Sequence, residues 1–122
     1  MFRNSPRRPK PRPQRQTVMT VEEYRALVER SMLEEDWMQQ VIEYARIKGW
    51  RHYHTYDARH AVEGYPDLTL VRGHRLVFIE CKREREKPTI EQWNWACDLQ
   101  AAGGEVYLYH PHDVEDMEAV LA

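Results

Sequence analysis

The chain has 122 residues, of which 42% are hydrophobic, so it can bury one core and is short for two domains. No apolar run approaches the roughly 18 residues that a membrane span requires. The first sixteen residues also lack the apolar stretch of a secretory signal. Cys81 and Cys97 form no CxxC pair, which favours reduced thiols. We therefore expect a cytoplasmic protein with no membrane partner.

The charge is unevenly distributed along the chain. The net charge is −2, yet residues 1–16 contain six basic residues, four prolines and no acidic residue, and the rest of the chain carries −8. Such a segment cannot bury a core, so we expect a disordered tail over residues 1–18 and one folded domain over residues 19–122. The tail could bind DNA phosphates without sequence preference, and its candidate contacts are Arg7, Arg8, Lys10, Arg12 and Arg15. A solvated tail without a role and a true start at Met19 are the alternatives.

Two helices are predicted before the first strand. Thr20 with Glu23 forms a capping box for a helix that ends near residue 30, and Ser31 with Glu34 forms another for a helix that ends near residue 49. The buried stripe of the second helix is predicted to be Trp37, Val41, Tyr44 and Ala45. A strand over residues 50–55 and a polar loop over residues 56–65 follow.

A β-hairpin is predicted next. Residues 67–71 and 75–79 are rich in apolar and β-branched side chains, and Gly73-His74 between them suits a type II′ turn, which places glycine first. A two-residue turn at this position fixes which residues pair across the hairpin. A three-residue loop could instead reverse which side chains share a face.

The predicted register brings three charged side chains together. It places Asp67 directly opposite Glu80, with Cβ atoms roughly 4.5–5.5 Å apart. Two carboxylates this close repel unless a positive charge lies between them, and a hard cation such as Mg²⁺ takes oxygen ligands of this kind. Lys82 lies two residues beyond Glu80 and points to the same face, where it could orient a water molecule.

The rest of the chain continues the alternation of helices and strands. Residues 83–88 form a charged loop, and Thr89 with Gln92 forms a capping box for a helix that stops at Gly103-Gly104. Its predicted buried stripe is Ile90, Trp93, Ala96 and Leu99. Trp95 could then be exposed for a dimer contact or base stacking, with partial burial as the alternative. A strand over residues 106–109 and a helix from Asp113 through Leu121 complete the chain.

The predicted order α, α, β, β, β, α, β, α indicates an α/β fold. The last strand could pair beside the strand that carries Glu80, which would give a mixed sheet with helices on its faces.

Each candidate site residue also has an ordinary structural explanation. Asp67 after Pro66 is typical of a turn at a strand edge. Glu80 could be neutralised by a neighbouring cation, and Lys82 could be a strand-end lysine with its ammonium in water. The two HxH pairs, at residues 52–54 and 110–112, could suggest zinc. They lack a cysteine pair or a third placed ligand, so we expect strand-end or DNA-facing histidines.

Several segments together resemble a known nuclease family. Pro66-Asp67, Glu80-x-Lys82 and Gln92 on a later helix resemble the active-site signature of the PD-(D/E)xK nuclease superfamily. The resemblance is closest to the short stand-alone, phage-type members of its VRR-NUC family, and it runs from about Ser31 to Leu121. The segments that carry it are Gly64-Tyr-Pro-Asp-Leu68, Phe78-Ile-Glu-Cys-Lys82, Gln92-x-x-x-Ala96 and Ala102-Gly-Gly-Glu-Val-Tyr107.

The resemblance implies a fold, an activity and a set of site residues. The fold would be a restriction-endonuclease-like αβββαβ core with one extra helix at each end. The activity would be Mg²⁺- or Mn²⁺-dependent cleavage of branched DNA, such as Holliday junctions, by a homodimer in DNA repair or recombination. A nickase, an exonuclease or an inactive nucleic-acid-binding module are the alternatives. The implied metal ligands are Glu35, Asp67, Glu80 and the backbone carbonyl of Cys81. The implied catalytic residues are Asp67, Glu80, Lys82 and Gln92. Candidate DNA contacts are Arg59 and Arg83.

Overall fold

A computed structural model describes residues 2–4, 18–55 and 61–122 of the chain. These residues form an α/β structure with a four-stranded mixed sheet and four α-helices, in the predicted order. The elements are α1 (Val21–Ser31), α2 (Glu34–Ile47), β1 (Arg51–His54), β2 (Leu68–Arg72), β3 (Arg75–Cys81), α3 (Ile90–Ala101), β4 (Glu105–Tyr109) and α4 (Val114–Leu121). A short 3-10 turn, Pro111–Asp113, precedes α4. No helix among the described residues is both long and apolar enough to cross a bilayer.

The sheet has the strand order β1-β2-β3-β4. The first three strands are antiparallel neighbours, and β4 runs parallel to β3 after the crossover through α3. The prediction that the last strand pairs beside the strand of Glu80 is confirmed, because Glu80 lies opposite Leu108. A parallel pair needs a long connection, and α3 supplies it.

The β2–β3 hairpin has the predicted register. Leu68 pairs with Ile79 and Arg72 pairs with Arg75, around the turn Gly73-His74. Gly73 has a φ of 59°, whereas His74 is not among the residues with positive φ, so the turn has the type II′ sign pattern and not that of type I′. The residue before Leu68 therefore lies across from the residue after Ile79.

Hydrophobic side chains cover both faces of the sheet. On one face, α2 and α4 pack against the inward side chains of all the central strands, with Trp37 and Val41 fully buried. On the other face, α3 contributes Ala96 to a smaller cluster with Phe78 of β3. Because side chains alternate along a strand, Glu80 shares the face of Phe78. Glu80 therefore points to the side of the sheet that α3 covers.

The first residues of the chain lie on the outer edge of β4. Phe2 is buried in the cluster with Phe78, and Arg3 N–H donates to the carbonyl of Val106 at 2.9 Å. The side chain of Asn4 accepts from Leu108 N–H at 2.8 Å and donates to its carbonyl. The predicted disorder of the tail therefore does not hold for residues 2–4, because an apolar side chain and an amide side chain bind the edge of the sheet. Residues 5–17 lie outside the described residues.

Two details of the helices differ from the prediction. Ser31 is the last residue of α1, where its hydroxyl donates to the carbonyl of Val28, so the predicted capping box with Glu34 is wrong. The predicted stripe of α3 is also partly wrong, because Ile90 is 78% exposed and Trp93 is exposed, while Ala96 is buried. For Trp95 the alternative of partial burial is confirmed, and its indole N–H donates to the carbonyl of Glu63 at 3.1 Å. The capping boxes that begin α1 and α3 are confirmed.

Candidate metal centre

Asp67 lies directly before β2, where the predicted register places it beside the end of β3. Its Oδ2 accepts a hydrogen bond from the backbone N–H of Cys81 at 2.9 Å. Its own carbonyl accepts from Thr55 N–H of the neighbouring segment at 3.3 Å. Asp67 is therefore held from both sides, and its carboxylate is directed toward the last residues of β3.

Glu80 is the most deeply buried acid of the site, with 3% of its surface exposed. Its Oε1 accepts a hydrogen bond from Gln92 Nε2 of α3 at 3.2 Å. Its Oε2 is buried and accepts no hydrogen bond from a described donor, and a proton held by this carboxyl group can be shared with Asp67. Unsatisfied buried carboxylate oxygens are costly, which makes this atom a candidate ligand for a cation.

Gln92 has two roles at once. Its Oε1 accepts from Thr89 N–H at 2.9 Å and completes the capping box, while its Nε2 donates to Glu80. These two roles do not compete, because the two ends of one amide serve different partners. The start of α3 therefore fixes the orientation of Glu80.

The third acid of the site is Glu34 of α2. The carboxylates of Glu34, Asp67 and Glu80 each present an oxygen within 4.8 Å of the other two. The resemblance implied Glu35 at this position, but Glu35 is exposed, although it lines the adjoining cavity. Glu34 lies three residues before the fully buried Trp37, so it shares the inward face of the helix.

The sequence contains a signal for Glu34 that the capping-box interpretation obscured. Glu34 precedes Trp37 by three residues and Val41 by seven, which is the spacing of one helical face. The capping box assigned its side chain to the helix terminus instead. In the structure Leu33 is the N-cap and makes no side-chain cap bond, so the Glu34 carboxylate is available to the site.

Burial and mutual repulsion raise the pKa values of Glu34 and Glu80. Burial, followed by the charge of Asp67, raises the pKa of Glu80 to about 10, and the charge of Lys82 opposes part of that rise. Burial and the charge of Asp67 also raise the pKa of Glu34. Without a cation, Glu80 is therefore protonated at neutral pH, and a bound cation would have to displace that proton.

Lys82 lies at the end of β3, on the same face as Glu80. Only 8% of its surface is exposed, so the interpretation as a strand-end lysine with its ammonium in water is not supported. Its backbone N–H donates to the carbonyl of Tyr109 at 3.1 Å, which extends the pairing of β3 with β4 beyond Cys81. The charge of Lys82 opposes part of the rise in the pKa of both Glu34 and Glu80, and a positive charge within reach of these acids could orient a water molecule.

The donor set of the site fits a hard divalent cation. All three converging side chains offer carboxylate oxygens, and one of those oxygens is buried and accepts no hydrogen bond from a described donor. Mg²⁺ binds oxygen ligands at about 2.0–2.1 Å in octahedral geometry, so its ligands lie roughly 2.9–4.2 Å apart, and the three carboxylates lie within 4.8 Å of one another. Next to the acids lies a cavity of about 370 Å³ lined by Glu34, Glu35, Met38, His54, Thr55 and Asp67. This cavity gives a substrate a route to the carboxylates.

The remaining predicted site residues are placed as follows. The thiol of Cys81 is fully buried in the larger hydrophobic cluster, and burial raises its pKa well above the ordinary value. The role of its carbonyl as a ligand stays a prediction. Arg83 is exposed and lies 3.7 Å from a carboxylate oxygen of Glu86. Arg59 and the basic residues of the tail lie outside the described residues, namely Arg7, Arg8, Lys10, Arg12 and Arg15.

Comparisons with known proteins identify no relative. No family model, curated protein or solved structure matches this chain. Any functional assignment therefore depends on the motif and on the geometry of these side chains.

Proposed function

We propose that this protein is a metal-dependent DNA nuclease of the PD-(D/E)xK type. The observation that carries the proposal is the convergence of Glu34, Asp67 and Glu80 within 4.8 Å, beside the buried Lys82. Three buried or half-buried acids in one place are unfavourable for stability, so an ordinary structural role explains them poorly. The αβββαβ core of such nucleases would correspond to α2, β1, β2, β3, α3 and β4, with α1 and α4 as additions.

Each residue has a separate task in the proposed reaction. When bound, Mg²⁺ or Mn²⁺ neutralises charge on the phosphate and lowers the pKa of a water ligand. Asp67 is fixed by the Cys81 N–H and Glu80 by Gln92, so each carboxylate keeps one oxygen for the cation. Lys82 orients the attacking water, and its charge favours hydroxide over water.

The preference for branched DNA and the homodimer are proposed on the motif resemblance. A four-way junction presents two equivalent strands, which a symmetric dimer could cut in pairs. The exposed Arg83 follows the catalytic strand and could contact a phosphate next to the cut bond.

The proposal is tested by cleavage assays on a panel of DNA substrates. The full chain is incubated with labelled four-way junction, flap, linear duplex and single-stranded DNA, with Mg²⁺, with Mn²⁺ and with a chelator. We expect metal-dependent cleavage that is fastest on the junction. Glu80→Gln, Lys82→Ala and Glu34→Gln should each reduce the rate by about 100-fold or more.

Two matched variants make the test specific to the acids of the site. Glu35→Gln should reduce the rate less than Glu34→Gln, because Glu35 lines the cavity and lies outside the acidic cluster. Glu43→Gln, an exposed position on the same helix, should cut like the parent. No cleavage of any substrate with either metal would refute the nuclease proposal, as would full activity of Glu80→Gln. Cleavage of linear duplex alone would refute only the preference for branched DNA.

A further inference from the structure

A second group of metal-ligating side chains lies where β4 ends and the 3-10 turn begins. His110, His112 and Asp113 each present one ligand atom, and these atoms lie within 4.8 Å of one another. The group shares no residue with the three acids of the first site, and it offers two imidazoles. Imidazole nitrogen favours zinc-like cations over Mg²⁺.

The outer nitrogen of His110 has a fixed partner. His110 Nε2 lies 2.7 Å from the backbone carbonyl oxygen of Glu86. A carbonyl can only accept, so Nε2 carries the proton, and in a neutral ring Nδ1 is then a bare lone pair. This lone pair lies 3.4 Å from Asp113 Oδ2. Asp113 Oδ2 also accepts from the backbone N–H of His110 at 2.9 Å. The two acceptors repel unless a proton or a metal ion lies between them.

His112 has the same arrangement with its two nitrogens exchanged. Its Nδ1 contacts the carboxylate of Glu84, which leaves Nε2 facing Asp113 Oδ1 at 3.3 Å. His112 Nε2 is buried and has no hydrogen-bond partner among the described residues. The ring is parallel to that of His110, with centroids 5.1 Å apart. Both imidazoles therefore direct their inner nitrogens toward the same carboxylate.

The alternative is a pair of imidazolium ions that neutralise the two carboxylates. Burial by itself lowers the pKa of His110, but its hydrogen bonds with Asp113 and with the Glu86 carbonyl raise it on balance. A divalent cation with two neutral rings gives the same net charge as two protons. The cation would also bind the lone pair of His112 Nε2, whereas imidazolium pairing leaves this nitrogen with an ion-pair contact to Asp113 Oδ1 at 3.3 Å but without a hydrogen bond.

We propose that His110 Nδ1, His112 Nε2 and the Asp113 carboxylate bind a divalent cation of the Zn²⁺ class. Ligands at about 2.0–2.1 Å from a tetrahedral zinc ion lie roughly 3.3–3.4 Å apart. His110 Nδ1 lies 3.4 Å from Asp113 Oδ2, and His112 Nε2 lies 3.3 Å from the other oxygen, Oδ1. Each nitrogen is therefore at ligand spacing from one oxygen of the carboxylate, and tetrahedral binding would require one oxygen to turn toward both nitrogens. The Glu86 carbonyl and the Glu84 carboxylate occupy the positions of outer partners that hold each imidazole in its ligating tautomer.

A cation at this position would tie two parts of the fold together. Glu84 and Glu86 belong to the loop that follows Lys82, whereas the ligands belong to the junction of β4 and α4. The cation would therefore anchor the loop next to the first site. The proposed hydrolysis does not require this second cation, so the two sites can be tested separately.

The test is a titration of the full chain with Co²⁺ and Zn²⁺ after removal of metals with a chelator. It is made in the Glu80→Gln background, so that the first site does not contribute. We expect one equivalent of Co²⁺ to produce visible absorption bands of low-coordinate cobalt, and Zn²⁺ to displace it and raise the melting temperature. His112→Ala should weaken Co²⁺ binding by more than about 100-fold, and Glu84→Gln by about 10- to 100-fold.

The control is His74→Ala, which removes an exposed histidine in the β2–β3 turn and should leave cobalt affinity unchanged. Circular dichroism establishes that each variant is folded before it is titrated, and His112→Gln replaces His112→Ala if the latter unfolds. The proposal is overturned if the parent background gives no cobalt bands. It is equally overturned if a folded variant at His112 binds Co²⁺ as tightly as the parent.

Discussion

The carboxyl group of Glu80 is unfavourable to ionise in the folded protein without a cation. Its pKa is about 10, because the side chain is buried and Asp67 lies beside it. Below about pH 4.5, the usual pKa of a glutamate, this group is protonated in both the folded and the unfolded chain. As the pH rises from there toward 10, only the unfolded chain ionises, and this progressively favours unfolding.

We therefore expect Glu80→Gln to change how stability depends on pH. In chelator, the free energy of unfolding of the parent should fall relative to Glu80→Gln between about pH 6 and about pH 9, by up to about 1.4 kcal/mol per pH unit. Mg²⁺ should stabilise the parent more than the variant, and more at high pH, because the cation replaces the proton. Urea unfolding at several pH values measures both effects. Parallel pH profiles for the two proteins would contradict the assignment, and Glu43→Gln serves as an exposed control.

The pairing of Asp67 with Glu80 could be predicted because it depends on one local feature. Gly73 fixes a two-residue turn, and strand alternation then determines the face of every side chain up to Lys82. The contribution of Glu34 was missed because two local patterns competed for the same residue. The hydrogen bond from Gln92 to Glu80 was also not predicted, since the sequence shows the capping box but not which carboxylate lies across from the helix.

At the scale of elements, the loop before β2 is positioned by its packing on α3. The Trp95 indole donates to the Glu63 carbonyl, and the rings of Tyr65 and Trp95 meet edge to face with centroids 5.1 Å apart. Gly64 lies between these contacts with a φ of +87°, and a Cβ atom there would lie 2.5 Å from the backbone carbon of Glu91. The loop that leads to Asp67 and the helix that carries Gln92 therefore approach more closely than any residue except glycine allows.

Gly64→Ala should consequently reduce both stability and the proposed activity. The left-handed backbone costs an alanine about 1–2 kcal/mol, and the clash with Glu91 should add roughly 1–3 kcal/mol. Gly103→Ala is the matched control, because Gly103 has a φ of +101° but no atom within 4 Å of a Cβ there. Urea unfolding and cleavage rates compare the two variants. If Gly64→Ala and Gly103→Ala lost the same unfolding free energy and the same cleavage rate, the contact with α3 would have no separate effect.

The helices could be predicted where their caps are local, and less well where a distant segment decides the buried face. The boxes at Thr20 and Thr89 were visible because both partners lie within one turn. The buried face of α3 could not be predicted in this way. The loop before β2 packs on Trp95, so Trp95 is partly buried, while Ile90 is exposed to solvent. A helical period of apolar residues cannot distinguish these faces when aromatic residues occupy both.

At the scale of the whole molecule, the order of elements and the α/β class followed from the sequence, whereas the position of the first residues did not. Composition predicted a disordered tail, yet Phe2 is 1% exposed, belongs to the cluster with Phe78 and Ala96, and meets the ring of Trp93 edge to face with centroids 5.7 Å apart. Composition averages over a segment, and one aromatic residue among prolines and arginines is lost in that average. The contacts of residues 2–4 with β4 also join residues more than a hundred positions apart, such as Asn4 and Leu108.

We expect Phe2→Ala to destabilise the protein through the edge of β4. Truncating a buried Phe typically costs about 3–5 kcal/mol. The loss here should be smaller, roughly 1–3 kcal/mol, because a short terminal segment can detach while the sheet remains intact. The Leu108 amide, which donates to Asn4, should then exchange with solvent faster. Urea unfolding and hydrogen exchange measure these effects, with the exposed Met19→Ala as control. An unchanged unfolding midpoint together with unchanged Leu108 exchange would show that residues 2–4 do not protect this edge.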